Sequence, residues 1–222
     1  ELLERLCRIE KLEWIRLHYA YPTDFPDQLI EVMARERKIC RYLDIPFQHI
    51  SDNQLSAMKR RHTKAQAIEL VAKLRKAIPD IALRTTLLVG YPGESEEDFA
   101  ELMQFVKDTK FDRLGVFAYS EEEGTYSATR LKDDVEEEVK HERVDRIMRL
   151  QERISLENNA KRVGQIMSVI IDRKEGDFYI GRSEYDSPEV DQEIVIDSCG
   201  KRLYRGRFYD VKITDCEDYD LY

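Results

Sequence analysis

Hydrophobic positions between residues 14 and 118 switch repeatedly between short β-rich runs and helical repeats. The β-rich runs are Trp14–His18, Tyr42–Pro46, Ile81–Val89 and Leu114–Ala118. The runs with apolar residues at helical spacing are Phe25–Lys38, Ala65–Ala77 and Ser95–Lys107. Strands and helices that alternate at this spacing predict right-handed βαβ units and a parallel sheet.

The number of strands predicts an open sheet rather than a closed barrel. Four strands are too few to close around a packed interior. A leading amphipathic helix at Glu1–Lys11 would belong to a preceding unit, and the chain begins with Glu instead of Met. We therefore expect a fragment of a longer protein whose earlier strands lie outside this chain.

Two further patterns follow. Asp133–Arg162 is dense in charge but keeps apolar residues at helical spacing, which predicts a long helix that connects two domains. Packing of this helix on the outside of the first domain is compatible with that role. After Gly164 the apolar period becomes two. Runs at Gln165–Ile171, Phe178–Arg182, Ile194–Ile196, Arg205–Ile213 and Leu221–Tyr222 predict a small β-barrel. The expected division is 1–132, 133–162 and 163–222.

Composition limits the class of protein. The 222 residues are 42% hydrophobic and 36% charged, and no apolar run reaches the roughly 20 residues of a membrane-spanning helix. The four cysteines are too far apart for a CxxC or CxxxCxxC ligand set, which favours reduced thiols and a cytoplasmic location. The net charge of −9 disfavours a nucleic-acid partner and favours a basic protein or a small molecule.

The segment Val89–Glu94 is the sharpest local motif. A buried strand leads into a turn with Gly90 and Gly93, which allow a close backbone approach, and Ser95 with Asp98 forms a capping box for the next helix. Such a turn lies at the carboxyl face of a barrel strand. Four acidic residues at 94 and 96–98 would repel a phosphate, so a neutral or zwitterionic ligand fits better. An ordinary βα turn is the alternative.

Polar residues also follow the second and fourth strands. Gln48, His49 and Ser51 come directly after the second strand, and Arg60 could clamp a carboxylate or be a plain surface charge. The acidic segment Tyr119–Thr125 follows the fourth strand, where it is either a substrate entrance or a solvated loop. No Ser/His/Asp order, HExxH or Walker motif is present.

Four motifs in order resemble the methylthiotransferases of the radical S-adenosylmethionine (SAM) class. They are Tyr42–Asp52, Met58–Thr63, Val89–Glu94 and Tyr119–Thr125, followed by a domain that resembles TRAM. The match covers essentially the whole chain. It implies an α/β fold, namely a partial, open TIM-like radical SAM barrel followed by a small all-β TRAM/OB-like barrel.

Within the family the chain resembles the RimO-like branch, which methylthiolates the β-carbon of an aspartate in small-subunit ribosomal protein twelve. The tRNA-modifying, MiaB-like branch usually has Gln-Ser-Gly-Ser at 48–51, Ser-His-Pro at 20–22 and Arg-Pro-Gly-Thr at 122–125, and this chain differs at all three. Residues 160–222 carry 10 Lys/Arg and 14 Asp/Glu, and an acidic terminal domain suits a basic ribosomal protein. A tRNA methylthiotransferase and a non-catalytic ribosome- or RNA-binding adaptor remain the alternatives.

The resemblance also implies cofactors and site residues. The whole protein would use S-adenosyl-L-methionine and two 4Fe–4S clusters, but this chain lacks both cysteine sets, so we expect the fragment alone to bind no metal cluster and show no turnover. Candidate SAM contacts are Gln48, Ser51, Arg60, Val89, Gly90, Tyr91, Pro92, Gly93 and Glu94. Candidate residues of the substrate mouth are His49, Tyr119, Ser120, Glu122, Glu123 and Thr125. We expect the segments 48–51 and 90–94 to converge on one rim.

Overall fold

The first half of the chain forms a four-stranded parallel sheet with helices on one side. A computed structural model describes all 222 residues. The strands follow chain order across the sheet: β1 (Ile15–Leu17), β2 (Ile39–Asp44), β3 (Ala82–Val89) and β4 (Arg113–Ala118). The helices are α1 (Leu2–Cys7), α2 (Asp27–Arg35), α3 (Asp52–Ala57), α4 (Lys64–Ala77), α5 (Glu96–Thr109), α6 (Tyr126–Arg130) and α7 (Glu137–Ala160). Since β1 and β4 are both edge strands, the sheet is open, as the sequence predicted.

Alternation along β3 shows how the sheet divides its two faces. Leu83, Leu87 and Val89 point toward the helices and are buried in a core of 23 residues. The intervening Thr86 and Leu88 are half-buried on the opposite face. The sheet therefore has one face sealed by helices and one face available to other groups.

Several element boundaries differ from the sequence prediction. The first helix ends at Cys7 instead of Lys11, and α2 begins only after Pro26, whose extended backbone provides the N-cap. The last long strand begins at Phe208 instead of Arg205, because Gly206 has a φ of +74° and turns the chain. The capping box of Ser95 and Asp98 is present at α5, as predicted.

The long helix α7 packs on the helical side of the parallel sheet. Ile147 and Ile154 are buried in the first core, and Gln151 Nε2 donates to the backbone oxygen of Phe111 at 2.9 Å. The same helix also reaches the second unit, because Asn159 Nδ2 donates to the backbone oxygens of Glu217 and Asp218 at 2.9 and 3.2 Å.

The remaining residues form a separate five-stranded sheet. Its strands are β5 (Ile166–Glu175), β6 (Phe178–Arg182), β7 (Glu193–Asp197), β8 (Phe208–Lys212) and β9 (Asp220–Leu221), in the order β8-β5-β6-β7-β9. All neighbours are antiparallel except β7 and β9. Eight buried residues, Val169 and Ile194 among them, form its own core. This confirms the second, all-β unit. None of the helices in either unit is both long and apolar enough to cross a lipid bilayer.

Candidate functional site

The segments after β2 and β3 meet at the carboxyl edge of the parallel sheet. Gln48 N donates to Thr86 O at 2.9 Å, and Leu88 N donates to Gln48 O at 2.7 Å. The link continues through side chains, because His49 Nε2 lies 3.0 Å from an oxygen of Glu94. The structure thus brings residues 48–51 and 90–94 onto one rim.

The Glu94 side chain is the buried centre of this rim. It is completely enclosed, and it accepts hydrogen bonds from the backbone N–H of Gly90 and from Arg143 Nη1, the latter at 2.8 Å. Together with the contact to His49, these bonds use the carboxylate fully. Glu94 and His49 therefore face the interior and hold the two loops together, instead of facing a ligand.

A second buried pair joins the starts of α3 and α5. Ser51 Oγ donates to Asp98, and Asn53 Nδ2 donates to the same carboxylate at 3.1 Å. Burial alone would raise the pKa of Asp98, but the hydrogen bonds from Ser51, Ser95 and Asn53 outweigh it and lower the pKa to about 2. Ser51 thus caps α3 and also links the start of α3 to the start of α5.

The two glycines of the turn have different surroundings. Both have positive φ, +72° at Gly90 and +80° at Gly93. A methyl group on Gly90 would lie 2.2 Å from Lys140 Cγ, whereas one on Gly93 would meet nothing within 4 Å. The space beside Gly90 is filled by the chain's own α7, and only Gly93 leaves an open approach.

Tyrosines cover the rim next to this turn. The rings of Tyr91 and Tyr119 lie 5.1 Å apart, edge to face, and the Tyr91 hydroxyl reaches the backbone oxygen of Ala57 at 3.4 Å. The hydroxyl of Tyr119 is buried and has no hydrogen-bond partner. Pro92 is buried beside Tyr91. The Tyr119 hydroxyl is therefore a buried polar atom of the rim whose hydrogen-bonding capacity the chain itself does not use.

The other candidate residues lie at the margin of the rim. Arg60 Nη2 donates to the backbone oxygen of Pro46 at 3.0 Å, and its guanidinium lies 5.2 Å from the Tyr21 ring centre. Gln48 is half-buried with a φ of +68°. Arg60 thus supports the loop after β2 and is only partly available to a ligand.

The acidic loop after β4 is exposed to solvent. Residues 120–125, which include Ser120, Glu122 and Glu123, are all exposed, and Thr125 caps α6 by accepting a bond from Ala128 N at 3.3 Å. The carboxylates of this loop are therefore accessible to a partner from solvent.

Residues of α7 belong to the rim but were not predicted. Lys140 is buried with its ammonium 2.6 Å from both Asp133 and Glu137, and Arg143 links Glu94 to Glu96. The signal was present, because Lys140, Arg143 and Ile147 are spaced to share one helical face. The many charged residues around them instead predicted that this face of the helix is exposed to solvent.

The residues present fit part of the implied cofactor set. The open approach at Gly93, the unpartnered Tyr119 hydroxyl and the exposed Phe117 ring suit a zwitterion with an aromatic base, such as SAM. An iron–sulfur cluster does not fit, because no group of three or more His, Cys, Asp or Glu is arranged to hold a metal ion.

Comparison with known proteins identifies both units. The radical SAM superfamily matches residues 1–106, and the TRAM domain matches residues 163–222. A similar solved structure is coproporphyrinogen III oxidase (HemN) from Escherichia coli, a radical SAM enzyme, with a TM-score of 0.52, 16% identity, and coverage of 82% of this chain and 50% of that one. At that identity the likeness concerns the fold alone.

Curated relatives match over the entire chain. The ribosomal protein uS12 methylthiotransferases RimO of Phocaeicola vulgatus and Bacteroides thetaiotaomicron are 53% and 54% identical over all 222 residues. The chain spans about half the length of these relatives, 51% in both cases. The chain therefore carries a radical SAM domain followed by a TRAM domain, and over its whole length it is similar to the RimO methylthiotransferases.

Proposed function

We propose that this chain is part of an enzyme that adds a methylthio group to the β-carbon of an aspartate in ribosomal protein uS12. The observation that carries the proposal is the identity of more than half of all 222 residues to RimO proteins. The rim geometry supports it, since residues 48–51 and 90–94 are joined at the carboxyl edge of the sheet, where α/β proteins bind their ligands.

The division of labour proposed for the chain follows its three parts. Residues 1–132 hold the ligand rim, 133–162 brace it through Lys140 and Arg143, and 163–222 form the TRAM unit. In the rim, Gly93 gives backbone access to SAM and Tyr119 offers it a hydroxyl. Glu94 and His49 act indirectly by fixing the loops.

SAM supplies, when bound, the source of a radical and of a methyl group. The iron–sulfur cluster that works with it, and a second cluster, would be held by parts of the protein outside this chain. The task of residues 1–132 is to bind SAM and to keep the rim rigid while the substrate enters past the acidic loop at 121–123.

Folding buries part of the acidic surface with which the TRAM unit would contact basic uS12. Of the 14 acidic residues after position 160, Glu184, Asp186 and Asp191 face arginines or the backbone of the parallel sheet. These carboxylates are unavailable to a partner. The exposed surface of the TRAM unit is therefore less acidic than its composition implies, and the acidic loop at 121–123 becomes the better candidate for contact with a basic substrate.

One observation favours the tRNA alternative. An open cleft of about 780 Å³ in the TRAM unit is lined by five basic residues and two acidic ones. The basic residues are Arg173, Lys174, Lys201, Arg202 and Arg205. A cleft of this charge suits a phosphate backbone, so tRNA must be tested alongside uS12.

The test is mass spectrometry of uS12 and of tRNA from a strain that lacks the gene, complemented with the full-length protein. We expect a methylthio group on one aspartate of uS12 only in the complemented strain, with tRNA unchanged. Loss of a methylthio group from tRNA, with uS12 unaffected, would assign the protein to the tRNA branch. No change in either molecule would favour the adaptor.

A further inference from the structure

The loop between β6 and β7 of the TRAM unit packs against the open face of the parallel sheet. Each strand of that sheet contributes one arginine to this contact region. Arg16, Arg84 and Arg113 take part through their side chains, and Arg41 through its backbone N–H. The loop comprises residues 183–192. It meets the sheet on the face opposite the helices, which is the face that carries Thr86 and Leu88.

The strongest contact joins β4 to the loop. Arg113 Nη2 lies 2.5 Å from Asp186 Oδ1, and the Asp186 side chain is completely buried. Asp186 also accepts a bond from Ser183 Oγ at 2.5 Å, so the loop is internally braced at the same carboxylate. A buried carboxylate with these partners fixes the position of the loop against the sheet.

Arg84 of β3 lies between the two units. Its Nη1 donates to Asp44 of β2 at 3.1 Å, and its Nε lies 3.5 Å from Asp191 of the loop. The planar guanidinium can hold two carboxylates in fixed directions, which lysine cannot do. Arg84 therefore ties the loop to two adjacent strands.

The first two strands complete the contact. Arg16 Nη2 donates to the backbone oxygens of Ser183 and Glu184 at 3.1 and 3.2 Å. The Tyr185 hydroxyl donates to Asp80 at 3.0 Å, and the Tyr185 side chain packs against the buried cluster of Cys40, Tyr42 and Ala82. The loop thus covers the amino-terminal half of the open face.

The carboxyl-terminal half of the same face stays free. Along β3 the loop reaches Arg84, while Thr86 and Leu88 remain half-buried and Phe117 of β4 is 61% exposed. The covered half and the free half meet within two residues of each other on one strand. The free half adjoins the rim proposed to bind SAM.

We propose that the TRAM loop 183–192 is the floor of the ligand cup, by which we mean the space bounded by the rim and the free half of the open sheet face. Arg84 is a positioning residue: because it binds the loop, it keeps the following strand residues Thr86 and Leu88 ordered. The inference rests on the proposed SAM site. It makes the TRAM unit a structural part of the cup, in addition to any contact that it makes with a partner. Loosening the loop would then disorder β3 and weaken ligand binding at a site that the loop does not touch.

The experiment compares Asp186→Asn with Asp177→Asn in the full-length, cluster-loaded protein. Asp177 lies in the exposed β5–β6 turn of the same unit and controls for the chemical change. Two quantities are measured: hydrogen–deuterium exchange of the amides 86–89, and the dissociation constant of SAM. We expect faster exchange and about 3- to 10-fold weaker SAM binding in D186N, and neither effect in D177N.

Arg16→Lys provides a milder second variant, because lysine can still donate to one of the two carbonyls, and it should shift both quantities in the same direction by less. Protected amides in β5 and β6 show that the TRAM unit of each variant is folded. Faster exchange in the loop without any change at the amides 86–89 would overturn the proposal that the loop is the floor of the ligand cup. If the wild-type protein bound no SAM, the proposed function would fail, whereas the exchange comparison would still decide the role of the loop.

Discussion

Replacing Glu94 by glutamine tests whether the rim is held by one buried carboxylate. Glu94 is fully enclosed and accepts bonds from Gly90, His49 and Arg143. Glutamine keeps the shape but offers one acceptor oxygen and no charge, which leaves the buried Arg143 without its inner counter-charge. Breaking a buried ion pair costs about 3–5 kcal/mol. Because Glu96 still pairs with Arg143 from outside, we expect about 3 kcal/mol for E94Q.

The chain provides its own control for this variant. Glu96 binds the same arginine at 2.5 Å, but its side chain is 67% exposed. An exposed pair is worth less than about 1 kcal/mol, so E96Q should be close to wild type. Both are measured by urea unfolding followed by circular dichroism, with equal m-values as the sign of unchanged compactness. Equal stabilities of E94Q and E96Q would show that the buried carboxylate does not hold the rim.

Three further predictions concern acidity, backbone and thiols. Because the folded pKa of Asp98 is lowered to about 2, the stabilisation from its carboxylate is complete above pH 4 and is lost as the pH falls from 4 toward 2. The D98N variant should lose about 1–2 kcal/mol of unfolding free energy at pH 7. Urea titration at each pH should also show that the stability of D98N depends less on pH between 4 and 2. G90A should destabilise the chain by about 1–3 kcal/mol more than G93A, since both strain a positive φ but only the first creates an overlap, and similar melting temperatures would contradict this. Burial raises the pKa of Cys40 to about 11, so a thiol reagent should modify the exposed Cys199 first and Cys40 only on unfolding, as peptide mass spectrometry would show.

Local features of the site could be predicted because they depend on neighbouring residues. The helix cap at Ser95, the turn glycines and the end of β3 at Val89 follow from spacing within a few positions. Convergence of residues 48–51 with 90–94 also followed, because the carboxyl ends of parallel strands lie at one edge. The inward direction of Glu94 did not follow, since it depends on Arg143, which is 49 positions away in the chain.

The sequence by itself determined the type and order of the elements, because hydrophobic period and turn residues act over short distances. Only the tertiary structure decided which charges are exposed. In a chain that is 36% charged, no local pattern marks Glu94, Lys140 and Asp186 as buried, yet each is buried against a partner from another segment. Burial of a charge depends on a counter-charge brought close by folding, and no local pattern encodes that distance.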